Sequence, residues 1–316
     1  MSPKSSPNPP LLALAVAPRR EAEAWLAPLR AALPEMCVEL LEDAEPAAPT
    51  YAAAWGTVAG LDRCPNLKAI VSLGAGIDHI LADPALAHLP VVRMIDPGLT
   101  RGMSESALLH VLYHHLRWPE FQAQQRRQEW RERLAPLAPQ RRVGVMGMGV
   151  LGRDAARLLA AVGFRVAGWS RRAHRLKGID GYAGAEGLLP FLARTDILVC
   201  LLPLTPATRG ILDAGLFARL PKGAAVINLA RGGHLVESDL VAALDSGHLS
   251  GASLDVFETE PLPPAHPFWG HTRIVVTPHI ASLTRRDTGS AFVARTIRAL
   301  HAGKKPRGLV DRKRGY

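Results

Sequence analysis

Three side chains that can move charge stand just past apolar runs in the second half of the chain. Arg231 follows "INLA", Glu260 follows "LDVFET", and His279 follows "VVTP". An arginine binds a carboxylate through two parallel bonds and polarises a carbonyl beside it. A histidine can give a proton to a carbonyl oxygen while hydride reaches the carbon. A glutamate next to that histidine favours the imidazolium and keeps the acid loaded. Together the three suit reduction of a 2-oxo acid to a 2-hydroxy acid. Each alone reads as a surface arginine, a loop glutamate or a helix-capping histidine. Their placement after successive strands is what carries the chemistry.

The elements that must position them begin at Arg141. "RVGVMG" reads as a buried strand, "VLGRDAARLLAAV" as a helix ended by Gly163, and "FRVAGWS" as the next strand. Between the first strand and the helix lies "GMGVLG", with Gly147, Gly149 and Gly152 in the G-x-G-x-x-G order. Gly147 permits the tight turn, Gly149 leaves the pyrophosphate unobstructed, and Gly152 lets the helix pack close to the strand. Val150 and Leu151 open the helix, whose free N–H groups face the phosphates. A lone glycine pattern is weak, but a strand before it and a helix after it make it specific. The second strand ends in Ser170, Arg171 and Arg172, where such folds place an acid on the ribose 2′-hydroxyl. A hydroxyl and two guanidinium groups fit a 2′-phosphate instead. The expected cofactor is NADP(H), with NAD(H) possible.

Further strands are read at "DILVCLLP", "GAAVINLA", "GASLDVF" and "RIVVTPHI", with helices near 213–220 and 237–246. The first hundred residues alternate "LLALAV", "YAAAW", "LKAIVSLG" and "PVVRMI" with Ala-rich helical sequence, among it "EAEAWLAPLRAAL". Alternation of this kind predicts parallel sheets. The expected fold is therefore α/β: two Rossmann-like, doubly wound parallel-sheet domains. The NADP-binding domain, residues 99–282, is inserted in a discontinuous substrate-binding (lid) domain, 1–98 plus 283–316. A last helix at about 284–302 belongs to the lid. Ligands of such folds lie outside the strand carboxyl ends, here in the interdomain cleft. A long helix at about 104–128, capped by Ser104, is assigned to dimerisation.

The chain has 316 residues and a net charge of +10. Its last residues, "KKPRGLVDRKRGY", hold six bases and one acid, and "RRQEWRER" adds a charged helical face. Neither has the aromatic interleaving of a base-stacking platform, so no nucleic-acid partner is expected. No apolar run approaches the ~20 residues of a membrane helix, so no membrane partner is expected either. Three scattered cysteines, Cys37, Cys64 and Cys200, form no framework, and a cytoplasmic protein is expected. His110 and His114 share a helix face without a third ligand, so no metal is expected. "HPFWGH" is read as a loop anchored on the core by Phe268 and Trp269.

"SLGAGIDHI", "GMGVLG", "LLPLTPATRGIL", "NLARGG", "LDVFETEPLPP" and "TPHIA" resemble the D-isomer-specific 2-hydroxyacid dehydrogenases in order and spacing through nearly the whole chain. "YAAAW", "GWSRR" and the closing "VDRKRGY" are similar to the branch that reduces glyoxylate to glycolate and hydroxypyruvate to D-glycerate. The resemblance implies a homodimer of two-domain subunits that uses NADPH. It assigns the catalytic roles to Arg231, Glu260 and His279, taking Glu260 over Glu258 because it directly precedes a proline. It places Leu202, Pro203, Thr208, Ala230, Asp255, His279 and Ala281 on the cofactor, Asp255 toward the nicotinamide carboxamide. Trp55 and the Gly74, Ala75, Gly76 loop, with Arg231 and His279, fall to the substrate. Trp130 matches an aromatic that reaches toward the partner subunit. Two rivals remain: an NAD-dependent dehydrogenase of a larger 2-hydroxy acid, and a non-catalytic dinucleotide-sensing protein.

Overall fold

A computed structural model describes residues 9–315. They fall into two compact units, one running to Leu99 and resuming at Leu283, the other spanning Thr100–Ser282.

The first unit is a five-stranded parallel sheet: β1 (Leu11–Val16), β2 (Cys37–Leu40), β3 (Pro49–Trp55), β4 (Ala69–Ser72) and β5 (Val91–Val92). The strands lie in the order β2-β1-β3-β4-β5. β1, β3 and β4 are buried almost throughout, because a parallel sheet covered on both faces leaves no polar side. The helix Arg19–Ala32 buries Ala22, Trp25 and Leu29, at helical spacing, against this sheet unit. The chain returns at its end as the helix Arg286–His301. That helix lies along the first: Arg298 donates to Glu35 and to the Ala32 carbonyl, and Arg286 to Glu21. A Cβ at Gly289 would press on the Trp25 ring.

The second unit is a seven-stranded parallel sheet: β6 (Arg142–Met146), β7 (Arg165–Ser170), β8 (Asp180–Ala183), β9 (Ile197–Cys200), β10 (Ala224–Asn228), β11 (Leu249–Leu254) and β12 (Ile274–Val276). The order β12-β11-β10-β9-β6-β7-β8 reverses direction between β6 and β9. That reversal is the crevice where doubly wound sheets take their ligands. Alternation along the strands splits the core in two. Val145, Val166, Val199 and Ile227 join one apolar cluster with Ala155 and Leu159; Met146, Leu198, Val226 and Leu254 join the other with Phe191, Phe217 and Leu240.

Several elements differ from the sequence expectation. The helix expected at 104–128 is two, Pro97–His115 and Trp118–Arg126. Asp96, not Ser104, caps the first, its carboxylate accepting from the Leu99 N–H at 2.9 Å. Ser104 is buried in mid-helix and donates to Asp154 at 2.7 Å. Arg117 adopts a left-handed φ of 59°, and Pro119 behind it can offer no N–H to a continuing helix. Phe268 anchors its loop, but Trp269 is 54% exposed and does not. His110 is buried and His114 half-buried in the helix Pro97–His115, and His114 Nε2 meets Ser253 Oγ at 2.9 Å. Among the described residues no helix is long and apolar enough to cross a membrane, and no three His, Cys, Asp or Glu side chains are grouped to hold a metal.

Candidate active site

The glycine turn sits at the carboxyl end of β6. Gly147 has φ +102°, and a Cβ there would strike the Leu201 backbone. A Cβ at Gly152 would overlap the Gly147 carbonyl, so the helix Val150–Val162 starts against the turn. A Cβ at Gly149 would meet nothing within 4 Å. The turn thus presents open space at a helix N-terminus, which fits a dinucleotide pyrophosphate. Val150 and Leu151 form the first turn of that helix.

Ser170 closes β7, with Arg171 and Arg172 exposed beyond it. The Ser170 hydroxyl donates to the Arg172 carbonyl at 2.8 Å, so it shapes the turn that displays the two arginines. Past β9, Leu202 is buried, and Thr208 donates to the Pro203 carbonyl at 2.7 Å, folding the "PLTPAT" loop back on itself.

Arg231, Glu260 and His279 each follow a strand of this sheet, β10, β11 and β12. His279 Nδ1 donates to Glu260 Oε2 at 2.7 Å, both side chains 35% exposed. The other carboxylate oxygen accepts the Phe257 N–H at 2.9 Å. Burial alone would raise the Glu260 pKa. The bonds from His279 and Phe257, with the charges of His279 and Arg231, outweigh it and hold the carboxyl below its usual value. Glu260 therefore lies within electrostatic reach of both His279 and Arg231.

The turn bearing Arg231 is packed on the loop bearing Glu260. A Cβ at Gly232 would land on the Phe257 backbone, which is why glycine follows the arginine. The Arg231 carbonyl accepts from Asn228 Nδ2 at 2.9 Å and lies 3.1 Å from His234 Nδ1, while His234 Nε2 lies 3.3 Å from the Pro203 carbonyl. Asn228 and His234 are fully buried. They tie the arginine turn and the "PLTPAT" loop to β10. Ala230, also buried, takes a bond from Arg231 Nη1 at 2.7 Å.

His279 has φ +53°, the left-handed region, which costs a residue bearing a Cβ roughly 1 kcal/mol or more. Asp255 holds it there. Its carboxylate, 1% exposed, accepts from Thr277 Oγ1 at 2.6 Å and from the Ile280 and Ala281 N–H groups at 2.9 Å each. Its carbonyl accepts the His279 N–H at 2.8 Å. The sequence reading assigned Asp255 to the nicotinamide alone; here both oxygens fix the histidine loop. Asn228, His234, Thr277 and Gly232 carried no signal of their own in the sequence beyond lying beside the expected residues.

In the first unit, Trp55 ends β3 and covers Gly74, where a Cβ would overlap the indole. The Gly74 N–H goes to Ser72 Oγ, and Ser72 Oγ donates to the Gly76 carbonyl at 3.0 Å. Gly74, Ala75 and Gly76 form a tight turn past β4. Trp130 is 96% exposed.

A glycine turn opening a helix at the sheet's switch point, with Arg, Glu and His at the ends of three other strands, defines a dinucleotide-dependent dehydrogenase. Residues 108–281 match the family model for the NAD binding domain of D-isomer specific 2-hydroxyacid dehydrogenases. A glyoxylate/hydroxypyruvate reductase A of Serratia proteamaculans is 44% identical over 93% of this chain and 96% of its own length. A D-isomer specific 2-hydroxyacid dehydrogenase of Xanthobacter autotrophicus, solved with NADPH and MES, superposes with TM-score 0.93 at 39% identity, covering 97% of this chain and 99% of its own. An NADPH-dependent glyoxylate/hydroxypyruvate reductase of Sinorhizobium meliloti, solved with NADP and sulfate, gives TM-score 0.90 at 42% identity over 97% and 100%. The chain belongs to the D-isomer specific 2-hydroxyacid dehydrogenase family.

Proposed function

We propose that the chain reduces small 2-oxo acids with NADPH, glyoxylate to glycolate and hydroxypyruvate to D-glycerate. The observation that carries this is the His279–Glu260 pair at 2.7 Å, on strand ends shared with Arg231. Bound NADPH supplies the hydride. Arg231 grips the substrate carboxylate and polarises the neighbouring carbonyl. His279, its Nδ1 hydrogen-bonded to Glu260, gives the proton on Nε2 to the carbonyl oxygen. Glu260 fixes the ring and balances its charge. The Ala75 and Gly76 amides grip a carboxylate, Gly74 having spent its amide on Ser72, and Trp55 limits the size of the acid. Ser170, Arg171 and Arg172 select the 2′-phosphate, which the NADPH and NADP bound in the two similar solved structures support. Gly147, Gly149, Val150, Leu151 and Gly152 cradle the pyrophosphate, with Leu202, Pro203, Thr208, Ala230 and Ala281 along the cofactor. The unit of Thr100–Ser282 is on this reading the NADP domain and the other unit the substrate domain.

We also assign a homodimer. Leu109, Leu116, Trp118, Trp130, Leu134 and Leu137 are large apolar side chains left exposed within residues 109–137, surface that a second copy would cover. Light scattering that returned the 34.0 kDa monomer mass would overturn this.

Arg231→Ala tests the reductase. Losing two charge-assisted bonds, each about 1.5–3 kcal/mol, lowers kcat/KM for glyoxylate roughly 10²- to 10⁴-fold while NADPH binding persists. Undiminished turnover would refute the assignment.

A further inference from the structure

The glycine turn meets β7 through two contacts, and a third joins it to the separate loop beyond that strand. The Gly147 N–H donates to the Trp169 carbonyl at 2.9 Å. The Met148 side chain fills the space where Gly168 lacks a Cβ. Both of these reach the strand. The third reaches past it. Arg153, in the first turns of the helix Val150–Val162, donates from Nε to the Met148 carbonyl at 2.9 Å and from Nη2 to His174 Nδ1 at 2.7 Å. One guanidinium therefore spans from the middle of the glycine turn to the loop that carries Arg171 and Arg172.

We propose that Arg153 and His174 form a clasp that positions the 2′-phosphate loop, and so act as specificity-determining residues for NADPH over NADH. The inference rests on the NADPH reading given above.

The chemistry of the pair fits the role. A guanidinium has only donors, so His174 accepts at Nδ1 and its ring is neutral with the proton on Nε2. Burial first, and the Arg153 charge second, lower the His174 pKa and favour that form. The loop is also seated from below: a Cβ at Gly181 on β8 would crowd the His174 carbonyl, so glycine lets the loop lie on the strand. Arg153 is thereby spent on two protein acceptors and acts on the cofactor through the loop. Arg171 and Arg172 lie at the exposed strand end, where an unrestrained loop would spread them over many conformations. Ordering them in advance lowers the entropy cost of binding the phosphate. NADH lacks that phosphate and gains little from the ordering.

The test is a double-mutant cycle read by direct titration of NADPH and of NADH into the whole protein. Arg153→Ala and His174→Ala should each raise the NADPH dissociation constant about 10-fold, as expected for one charge-assisted hydrogen bond. The double variant should be no weaker than either single one. For His174→Ala, which leaves the Arg153 bond to the glycine turn intact, NADH affinity and kcat at saturating NADPH should change less than about 2-fold, on the scale of experimental scatter for uncoupled sites. His174→Asn, whose amide oxygen replaces Nδ1 as acceptor, should restore NADPH affinity. Additive losses, equal weakening of NADH, or unchanged NADPH affinity in both single variants would overturn the clasp. A wild-type protein that bound NADH as tightly as NADPH would instead refute the NADPH reading itself.

Discussion

Asp255→Asn separates the two roles that this residue can have. The carboxylate accepts three bonds, from Thr277 Oγ1, Ile280 N–H and Ala281 N–H. An asparagine has one oxygen and one NH2 group, so in either orientation at least one of those donors faces another donor. Leaving a buried N–H unsatisfied costs about 1–3 kcal/mol. The loop can escape that cost by letting His279 leave its left-handed φ of 53°. A bias of about 1–3 kcal/mol lowers the ratio of correctly set to displaced His279 by roughly 5- to 150-fold, and the set population by up to that factor. Because that population limits proton transfer, kcat for glyoxylate falls by the same factor. NADPH dissociation, measured by fluorescence titration, should stay within about 3-fold, a change below 1 kcal/mol. Thr277→Val removes one donor and leaves both amides paired, so it should cost less than about 1 kcal/mol, or about 5-fold in kcat. If Asp255→Asn weakened NADPH strongly and left kcat intact at saturating cofactor, Asp255 would serve the nicotinamide and the loop argument would be wrong.

Two further outcomes concern His114 and the end of β7. Burial, aided by the His110 charge, pushes the His114 pKa down to about 3. The folded state keeps this ring neutral, so its contribution is complete above the unfolded value of about 6.5 and is lost progressively as pH falls toward 3. At pH 5 the loss is about 2 kcal/mol, roughly 4–8 °C in Tm for a unit of this size; His114→Gln should flatten that acid slope, and an unchanged slope would refute it. Replacing Ser170 with Asp and Arg171 with Ala should move cofactor preference toward NADH, since an acid there binds a ribose hydroxyl and repels a phosphate. Retained NADPH preference in steady-state assays would show that the stretch does not select the cofactor.

What the sequence made legible was whatever a short window contains. The helix Val150–Val162 and its stop at Gly163 were readable because apolar period, glycine turn and left-handed cap lie side by side. The strand ends bearing Arg231, Glu260 and His279 were readable because each follows an apolar run. β2, "CVEL", was missed because only alternate residues are buried at that sheet edge. β8, "DGYA", has almost no apolar content and is held by pairing with β7. The helix Gly184–Ala193 carries two glycines and Pro190, which local propensity counts against a helix. The start at Pro97 was hidden in "DPG", which reads as a turn until the Asp96 carboxylate is seen on the Leu99 N–H. The supports of the site were beyond reach for a different reason. Asp255 with residues 277–281, Asn228 and His234 with the Arg231 carbonyl, and Arg153 with His174 are pairings across separate loops. No periodicity encodes which loop meets which.

The central claim is a cofactor and a substrate class, and a steady-state comparison addresses both at once. Purified protein would be assayed with NADPH and with NADH against glyoxylate, hydroxypyruvate and a bulky 2-oxo acid. The account predicts the highest kcat/KM for NADPH with the two small acids, and at least about 10-fold less with NADH, the loss of one charged contact to the 2′-phosphate. No NADPH oxidation with either small acid, or a preference for NADH and the bulky acid, would contradict it.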